Sequence, residues 1–355
     1  MADDQDPKLL ASAFFELLAT AWVPHAIQAA AELRVADALA DGPRPANAVA
    51  DATGADELAM ERLLRSLVTI DLLEHDSDGN FGLTPLGSLL RSDVPQSLRS
   101  PVLFSAGPNA LRSWSQFTEC VRTGSTAAKL LDGTDEPFAP YAADPARQAT
   151  FDAAMAESTR LMAPAIAAGL ATVCDLRGVE TVADIGGGYG ALLVPVLQAN
   201  PHLHGVVVDR PHCRTGAEKL IAEAGLAERY RFVDANFFGD ELPPADVTIL
   251  KSVIHDWDDD RSISLLQNCS RAMAPAARLV LVEAAVPDRL EPSSAHRRII
   301  GADLRMLIAT GGRERTRAEY ESLLAAADLR LTDAAPTAAG LDIMVACRSG
   351  TPPQS

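Results

Sequence analysis

From Val179 onward the chain alternates short apolar segments with helical ones, and this alternation limits the choice of fold more than any other feature. Five segments read as strands: Val179 to Ile185, Gly205 to Asp209, Tyr230 to Asp234, Ala245 to Lys251 and Arg278 to Ala284. Strands separated by helix-length stretches are joined by crossovers, which predicts a doubly wound, largely parallel α/β sheet. Two more helices and two more strands follow, near Leu329 and over Leu341 to Cys347. No repeat of the solenoid or propeller kind interrupts the pattern.

In such sheets ligands bind beyond the carboxyl ends of the strands. The first strand runs into Asp184-Ile185-Gly186-Gly187-Gly188-Tyr189-Gly190. Glycines at a strand-to-helix turn let the backbone approach a ligand and expose helix amides to it. Gly186, Gly188 and Ala191 satisfy the loose dinucleotide fingerprint, so NAD is one reading. Asp184 favours another. Two residues ahead of the first glycine, a carboxylate would repel a pyrophosphate, yet it can accept hydrogen bonds near an amino-acid-like tail. Asp209 closes the second strand, where ribose hydroxyls need a two-oxygen acceptor. S-adenosylmethionine carries a ribose, a carboxylate and an ammonium but no phosphate, and is the preferred cofactor.

The densest chemical block is Leu250-Lys251-Ser252-Val253-Ile254-His255-Asp256-Trp257, after the fourth strand. Glu283 ends the apolar strand Leu279 to Val282, and Glu314 lies in Thr310-Gly311-Gly312-Arg313-Glu314-Arg315-Thr316. A buried acid at a strand end needs a partner, and the His255 imidazole is the natural one. Phe151, Met155 and Met162 share one helical face ahead of the first strand, as a core stripe or a pocket wall.

The amino-terminal third reads differently. Leu9 to about Leu39 is so rich in Ala and Leu that a helix there must bury most of its surface, in a domain core or at a subunit interface. It has no evident partner layer of its own, which points to the interface. Pro45 to Leu90 then predicts a winged-helix layout. A helix from Ala46 is followed by one capped by Asp56, a hairpin turning at Asp76 to Asn80, and a helix begun by Thr84-Pro85. Winged helices often bind DNA. Here residues 32–100 hold twelve acidic and six basic side chains, and the whole chain 48 against 31, a net charge of −17. Nucleic acid is therefore not an expected partner. Nor is a membrane, because no uninterrupted apolar run approaches the ~20 residues of a span. The start, Met1-Ala-Asp-Asp-Gln-Asp, lacks the basic region of a signal peptide. Five scattered cysteines without a Cys-x-x-Cys pair fit a reducing cytoplasm. His202, His204 and His212 read as solvated, and no metal is expected.

Taken in order, these blocks closely resemble the S-adenosylmethionine-dependent O-methyltransferases of the caffeic acid O-methyltransferase-like family, in its bacterial secondary-metabolite branch. The carriers are Asp-x-Gly-Gly-Gly-x-Gly at 184–190, Val-Asp-Arg-Pro at 208–211, Leu-Lys-x-x-x-His-Asp-Trp at 250–257, Glu283, and Gly-Gly-Arg-Glu-Arg-Thr at 311–316. The resemblance implies a mostly parallel, seven-stranded methyltransferase sheet over residues 173–355. It adds a helical linker contributing to the acceptor pocket over 101–172, and an α-helical, winged-helix-like dimerisation domain over 1–100 that makes a homodimer. It implies transfer of a methyl group from S-adenosyl-L-methionine to a hydroxyl, phenolic for choice, of a small aromatic acceptor. His255 would be the general base, flanked by Glu283 and Glu314. Asp184, Gly186, Gly188, Asp209, Arg210, Asn236, Phe237, Lys251 and Ser252 fall on cofactor positions, and Phe151, Met155, Asp256, Asp303 and Met306 on acceptor positions. The chain departs from its relatives at Ala235-Asn236, where most carry Gly-Asp, so either Asn236 or Asp234 would meet the adenine. Asp303-Leu304-Arg305-Met306-Leu307 follows the bacterial rather than the plant pattern. Some bacterial relatives are diverted to hydroxylation or decarboxylation, and that remains the alternative beside an NAD-dependent oxidoreductase.

Overall fold

The structure is a computed structural model and describes residues 6–350, so the acidic start lies outside the described residues except for Asp6. The chain forms two compact units that divide between Arg112 and Ser113, inside the span expected as a linker.

In the first unit, the Leu9 to Leu39 segment is not one helix but three: α1 (Pro7–Ala19), α2 (Val23–Glu32) and α3 (Val35–Ala38). Pro24 explains the first break, because a proline restricts the residue before it and is best placed at a helix start. Arg34, in the left-handed region at φ 59°, makes the second. The apolar face of α1 is not covered by the described residues. Leu9, Leu10, Phe14, Phe15, Leu17 and Leu18 are 50–74% exposed, and no α1 residue is buried. Lys8, Glu16 and His25 interrupt it, yet Pro7–Glu32 is long and apolar enough to cross a membrane by length and composition.

A three-stranded sheet and two helices follow: β1 (Arg44–Pro45), α4 (Ala46–Thr53), α5 (Glu57–Val68), β2 (Leu73–His75) and β3 (Asn80–Leu83), with the strands in the order β1-β3-β2. The Asp56 side chain caps α5 by accepting from Ala59 N, and α5 buries Met60, Leu64 and Leu67 against Val49, Phe81 and α2. The helix expected from Thr84-Pro85 is only a 3-10 turn, Gly87–Leu90. Thr84 Oγ1 accepts from Gly87 N, so the cap forms, but a Cβ at Gly87 would lie 1.9 Å from Leu72 O. That contact holds the turn hard against the hairpin.

The second unit is built on seven strands: β4 (Thr181–Ile185), β5 (His204–Asp209), β6 (Tyr230–Asp234), β7 (Val247–Lys251), β8 (Arg278–Glu283), β9 (Leu329–Pro336) and β10 (Asp342–Arg348). Their order is β6-β5-β4-β7-β8-β10-β9, parallel from β6 to β8, with β10 antiparallel to both neighbours. Each central strand is buried on both faces, which is why it reads as a continuous run of Val, Ile and Leu. One face packs on the long helix Pro145–Val173 through Ala163, Ile166 and Leu170. The other packs on the helices Asp259–Ala272 and Arg317–Ala326. Strand order reverses between β4 and β7, and a crevice for ligands is expected at such a switch point.

Candidate active site

At the switch point β4 ends in the glycine turn, with Gly186, Gly188 and Gly190 all at positive φ. At Gly186 a side chain is excluded twice over, by φ of 71° and by Val253 Cγ2, 2.8 Å from the place a Cβ would take. Asp184 is buried beneath the turn, and burial pushes its carboxyl up to about 7 against the pull of the Lys251 ammonium. Asp209, at the end of β5, accepts from Gly188 N and from Arg210 N, both at 2.7 Å. Those amides hold its carboxyl down while burial, the larger effect, raises it. The turn and the carboxylate are thus one locked piece. The donor set suits a cofactor with hydroxyls and an amino-acid tail, since two carboxylates and a glycine cradle offer no charge to bind phosphate.

The other cofactor positions fall around this piece. Lys251, at the end of β7, donates to Thr159 Oγ1 on the long helix at 3.1 Å, and burial lowers its pKa against Glu283 and Asp184. Ser252 follows at φ 53°, its N–H held by Val282 O, and this left-handed residue bends the chain from β7 toward His255. Phe237 packs on Phe238 and Trp257 with ring centroids 4.9 and 6.2 Å away. Asn236 is exposed, and its Oδ1 accepts from Phe238 N. Asp234 is instead paired with Arg214 at 2.8 Å, which leaves Asn236 as the less engaged of the two. The Arg210 side chain is exposed.

Beyond β7, Ile254–Asp256 form one 3-10 turn that carries His255. Its Nδ1 lies 2.9 Å from Glu314 Oε1 and 3.7 Å from Glu283 Oε2, and its Nε2 lies 3.9 Å from Asp256 Oδ1. The hydrogen bond therefore goes to Glu314 alone. Glu283, fully buried, uses Oε1 to accept from Val253 N and Ile254 N at 3.0 and 2.8 Å. It fixes the backbone that bears the imidazole and acts on the ring through charge. Burial opposes the imidazolium, but Glu283, Glu314 and Asp256 outweigh it and raise the histidine to about 9. Burial, with Glu314 adding, lifts Glu283 to about 7 and Asp256 to about 6.

The Glu314 loop is anchored from several sides. Glu314 N donates to Asp303 Oδ1 at 2.9 Å, which gives Asp303 a structural task at this site. At Gly312 a Cβ would sit 2.0 Å from His255 O, so only glycine lets the two loops touch. Arg315, passed over in the sequence in favour of its neighbour, is completely buried. It donates to Asp259 Oδ1, to Trp257 O at 2.8 Å and to Ile254 O at 3.2 Å. Its guanidinium thus clamps the carbonyls on either side of His255. The alternation Arg313-Glu314-Arg315 in a loop so rich in glycine was the available signal.

An aromatic group stands by. Phe138, Tyr141 and Phe151 lie 5.0–6.2 Å apart, and Phe138 reaches Trp257 at 5.7 Å. Met155 is one helical turn beyond Phe151 and 38% exposed. Met306 lies on the helix Ser294–Ala309, where its carbonyl accepts from Thr310 Oγ1. Of the clustered histidines, His202 Nε2 donates to Leu176 O, while His212 meets Asp152 rather than solvent alone.

Comparison with known proteins agrees with this geometry. Residues 114–330 match the O-methyltransferase domain and residues 15–93 the O-methyltransferase dimerisation domain. A phenazine O-methyltransferase, PhzM, of Lysobacter antibioticus is 37% identical over 95% of this chain and 96% of its own. A mitomycin biosynthesis 6-O-methyltransferase of Streptomyces lavendulae is 35% identical over 92% of this chain and 90% of its own. Among solved structures, NcsB1, an O-methyltransferase from neocarzinostatin biosynthesis in complex with S-adenosylmethionine and 2-hydroxy-5-methyl naphthoic acid, superposes with a TM-score of 0.76. It is 33% identical and covers 94% of this chain and 98% of its own. With both domains matched and such identity over nine-tenths of its length, the chain belongs to the S-adenosylmethionine-dependent O-methyltransferases of bacterial secondary metabolism.

Proposed function

We propose that the protein methylates a hydroxyl, phenolic for choice, of a small aromatic metabolite, with His255 as general base. The observation that carries this reading is the 2.9 Å contact between His255 Nδ1 and Glu314 Oε1. A carboxylate can only accept, so Nδ1 keeps its proton and Nε2 is the nitrogen left to take one. Glu314 orients the ring and stabilises its charged form, and Glu283 fixes the loop beneath it, as acids do in other acid–histidine pairs. Asp184, the Gly186–Gly188 turn, Asp209, Arg210, Asn236, Phe237, Lys251 and Ser252 would hold S-adenosylmethionine, whose sulfonium supplies an electrophilic methyl group. The aromatic group at 138–151, with Met155, Asp256, Asp303 and Met306, would hold the acceptor, and the apolar side chains would keep water from the oxygen as His255 takes its proton. Relatives named for phenazine and mitomycin and a neighbour crystallised with a naphthoic acid support an aromatic acceptor.

We also assign residues 1–100 to dimerisation, 101–172 to a helical connection and 173–355 to methyl transfer, with the bare apolar face of α1 as part of the subunit contact. The test of the base is His255→Ala. Methyl transfer should fall about 10²–10⁴-fold with cofactor affinity retained. Undiminished transfer to a phenolic acceptor, with the same cofactor affinity, would remove His255 from the mechanism.

A further inference from the structure

A second cluster of metal-type donors lies away from His255, beside the end of β5. Asp152, on the helix Pro145–Val173, is buried, and its Oδ1 accepts from Gln148 Nε2 at 2.8 Å. The same oxygen lies 3.6 Å from His212 Nε2. His212 and Cys213 belong to one 3-10 turn, Pro211–Cys213, which directly follows Arg210. A ligand atom from each of Asp152, His212 and Cys213 lies within 4.8 Å of the other two. Cys213 is buried, with its thiol beside the Asp209 carboxylate.

At 3.6 Å the histidine and aspartate are too far apart for a hydrogen bond. They are spaced as two donors on one tetrahedral ion, which stand roughly 3.3–3.8 Å apart when each bond is about 2.0–2.3 Å. Thiolate, imidazole and carboxylate together select zinc-like ions over magnesium or calcium, which prefer oxygen alone. The His212 side chain is 41% exposed, so an ion can enter from solvent, and three protein donors leave a fourth position for water.

We propose that Asp152, His212 and Cys213 bind a zinc-class divalent ion, and that this ion opposes cofactor binding at Asp209. On binding, the S–H bond of Cys213 breaks, a sulfur–metal bond forms and the proton leaves to solvent. Asp209 thereby gains a dication as neighbour, which repels a cationic sulfonium. The second half of the proposal rests on Asp209 being a cofactor residue.

Cobalt(II), added to the chelator-treated full-length protein, tests the site. A thiolate-to-cobalt charge-transfer band should appear, vanish on adding Zn²⁺ and be absent from Cys213→Ala. His212→Gln should weaken the metal at least tenfold. Among the described residues the other such donor group, His255 with Glu283 and Glu314, has no sulfur and gives no such band. Calorimetry should then show S-adenosylmethionine binding at least tenfold weaker with Zn²⁺ present, and unchanged by Zn²⁺ in His212→Gln. No thiolate band, or a band that persists in Cys213→Ala, overturns the site. A band with unaltered cofactor affinity overturns the opposition to cofactor. If the metal-free protein binds no S-adenosylmethionine, the cofactor assignment fails instead, and the cobalt spectrum still decides the metal site.

Discussion

His255 is held as a cation by the acids around it, and this governs how the site answers to pH. A histidine raised from 6.5 to about 9, beside a glutamate raised from 4.5 to about 7, binds protons more tightly in the fold than in the unfolded chain. That contribution to stability is complete at low pH and is lost as pH rises through about 7 and then about 9. As the proposed base, His255 in contrast works only when deprotonated. We therefore expect kcat/KM to climb between pH 7 and 9 while thermal stability declines over the same range. The midpoint belongs to the coupled cluster rather than to His255 by itself. Glu314→Gln removes the charge in contact with Nδ1 and should move the rise in kcat/KM to lower pH with a smaller maximum. A profile that does not move would show that Glu314 does not set the protonation of the base. The residues of this cluster were legible in the sequence because each is a polar break at the end of an apolar strand or in a glycine-rich loop. Asp152 was not, since its burial beside His212 depends on how the long helix Pro145–Val173 packs, and no local pattern reports that.

At the scale of elements, the site is two short turns pressed together. The 3-10 turn Ile254–Asp256 follows β7, and the 311–316 loop ends in the capping box that Thr316 and Glu319 form for the helix Arg317–Ala326. Arg315 ties them, and Val286 N, just beyond β8, donates to Arg315 O at 2.9 Å. Arg315→Gln would take the guanidinium donors from the buried Ile254 and Trp257 carbonyls, leaving them Trp257 N and the long Ser262 Oγ contacts, at about 1.5–3 kcal/mol for each charge-assisted bond lost. We expect a lower melting temperature together with a fall in kcat, and cofactor affinity close to that of the parent. Stability and kcat both unchanged would show that the clamp is dispensable. The strands were legible because burial on both faces makes them uniformly apolar, and their expected limits hold to within a few residues. Helix ends were less so. Composition made one helix of Leu9 to Leu39, whereas Pro24 and the left-handed Arg34 make three, and close contact at Gly87 reduced a helix to a turn.

For the molecule as a whole, we expect α1 to take part in the contact that sets the state of association. Six large apolar side chains half or more exposed on one short helix exceed what a lone subunit usually presents to water. Phe14→Asp with Leu17→Asp should convert the dimer to monomers in sedimentation at micromolar concentration. A dimer undisturbed by both charges would place the subunit contact elsewhere. The winged-helix layout was legible, and so was its net acidity, which turned the reading from nucleic acid toward assembly. Within the second unit, the proton-handling groups hang from the ends of β7 and β8 and the loop clamped to them, all fixed by one rigid sheet. The rings of Phe138, Tyr141 and Phe151 come instead from helices that precede the sheet in the chain. On the proposed roles, the aromatic part of the acceptor pocket is thereby encoded on a different stretch of polypeptide from the proton-handling groups, whereas Asp256, Asp303 and Met306 share theirs. Such a scaffold lets a gene drift toward new acceptors through residues 138–155 while the chemistry downstream stays intact.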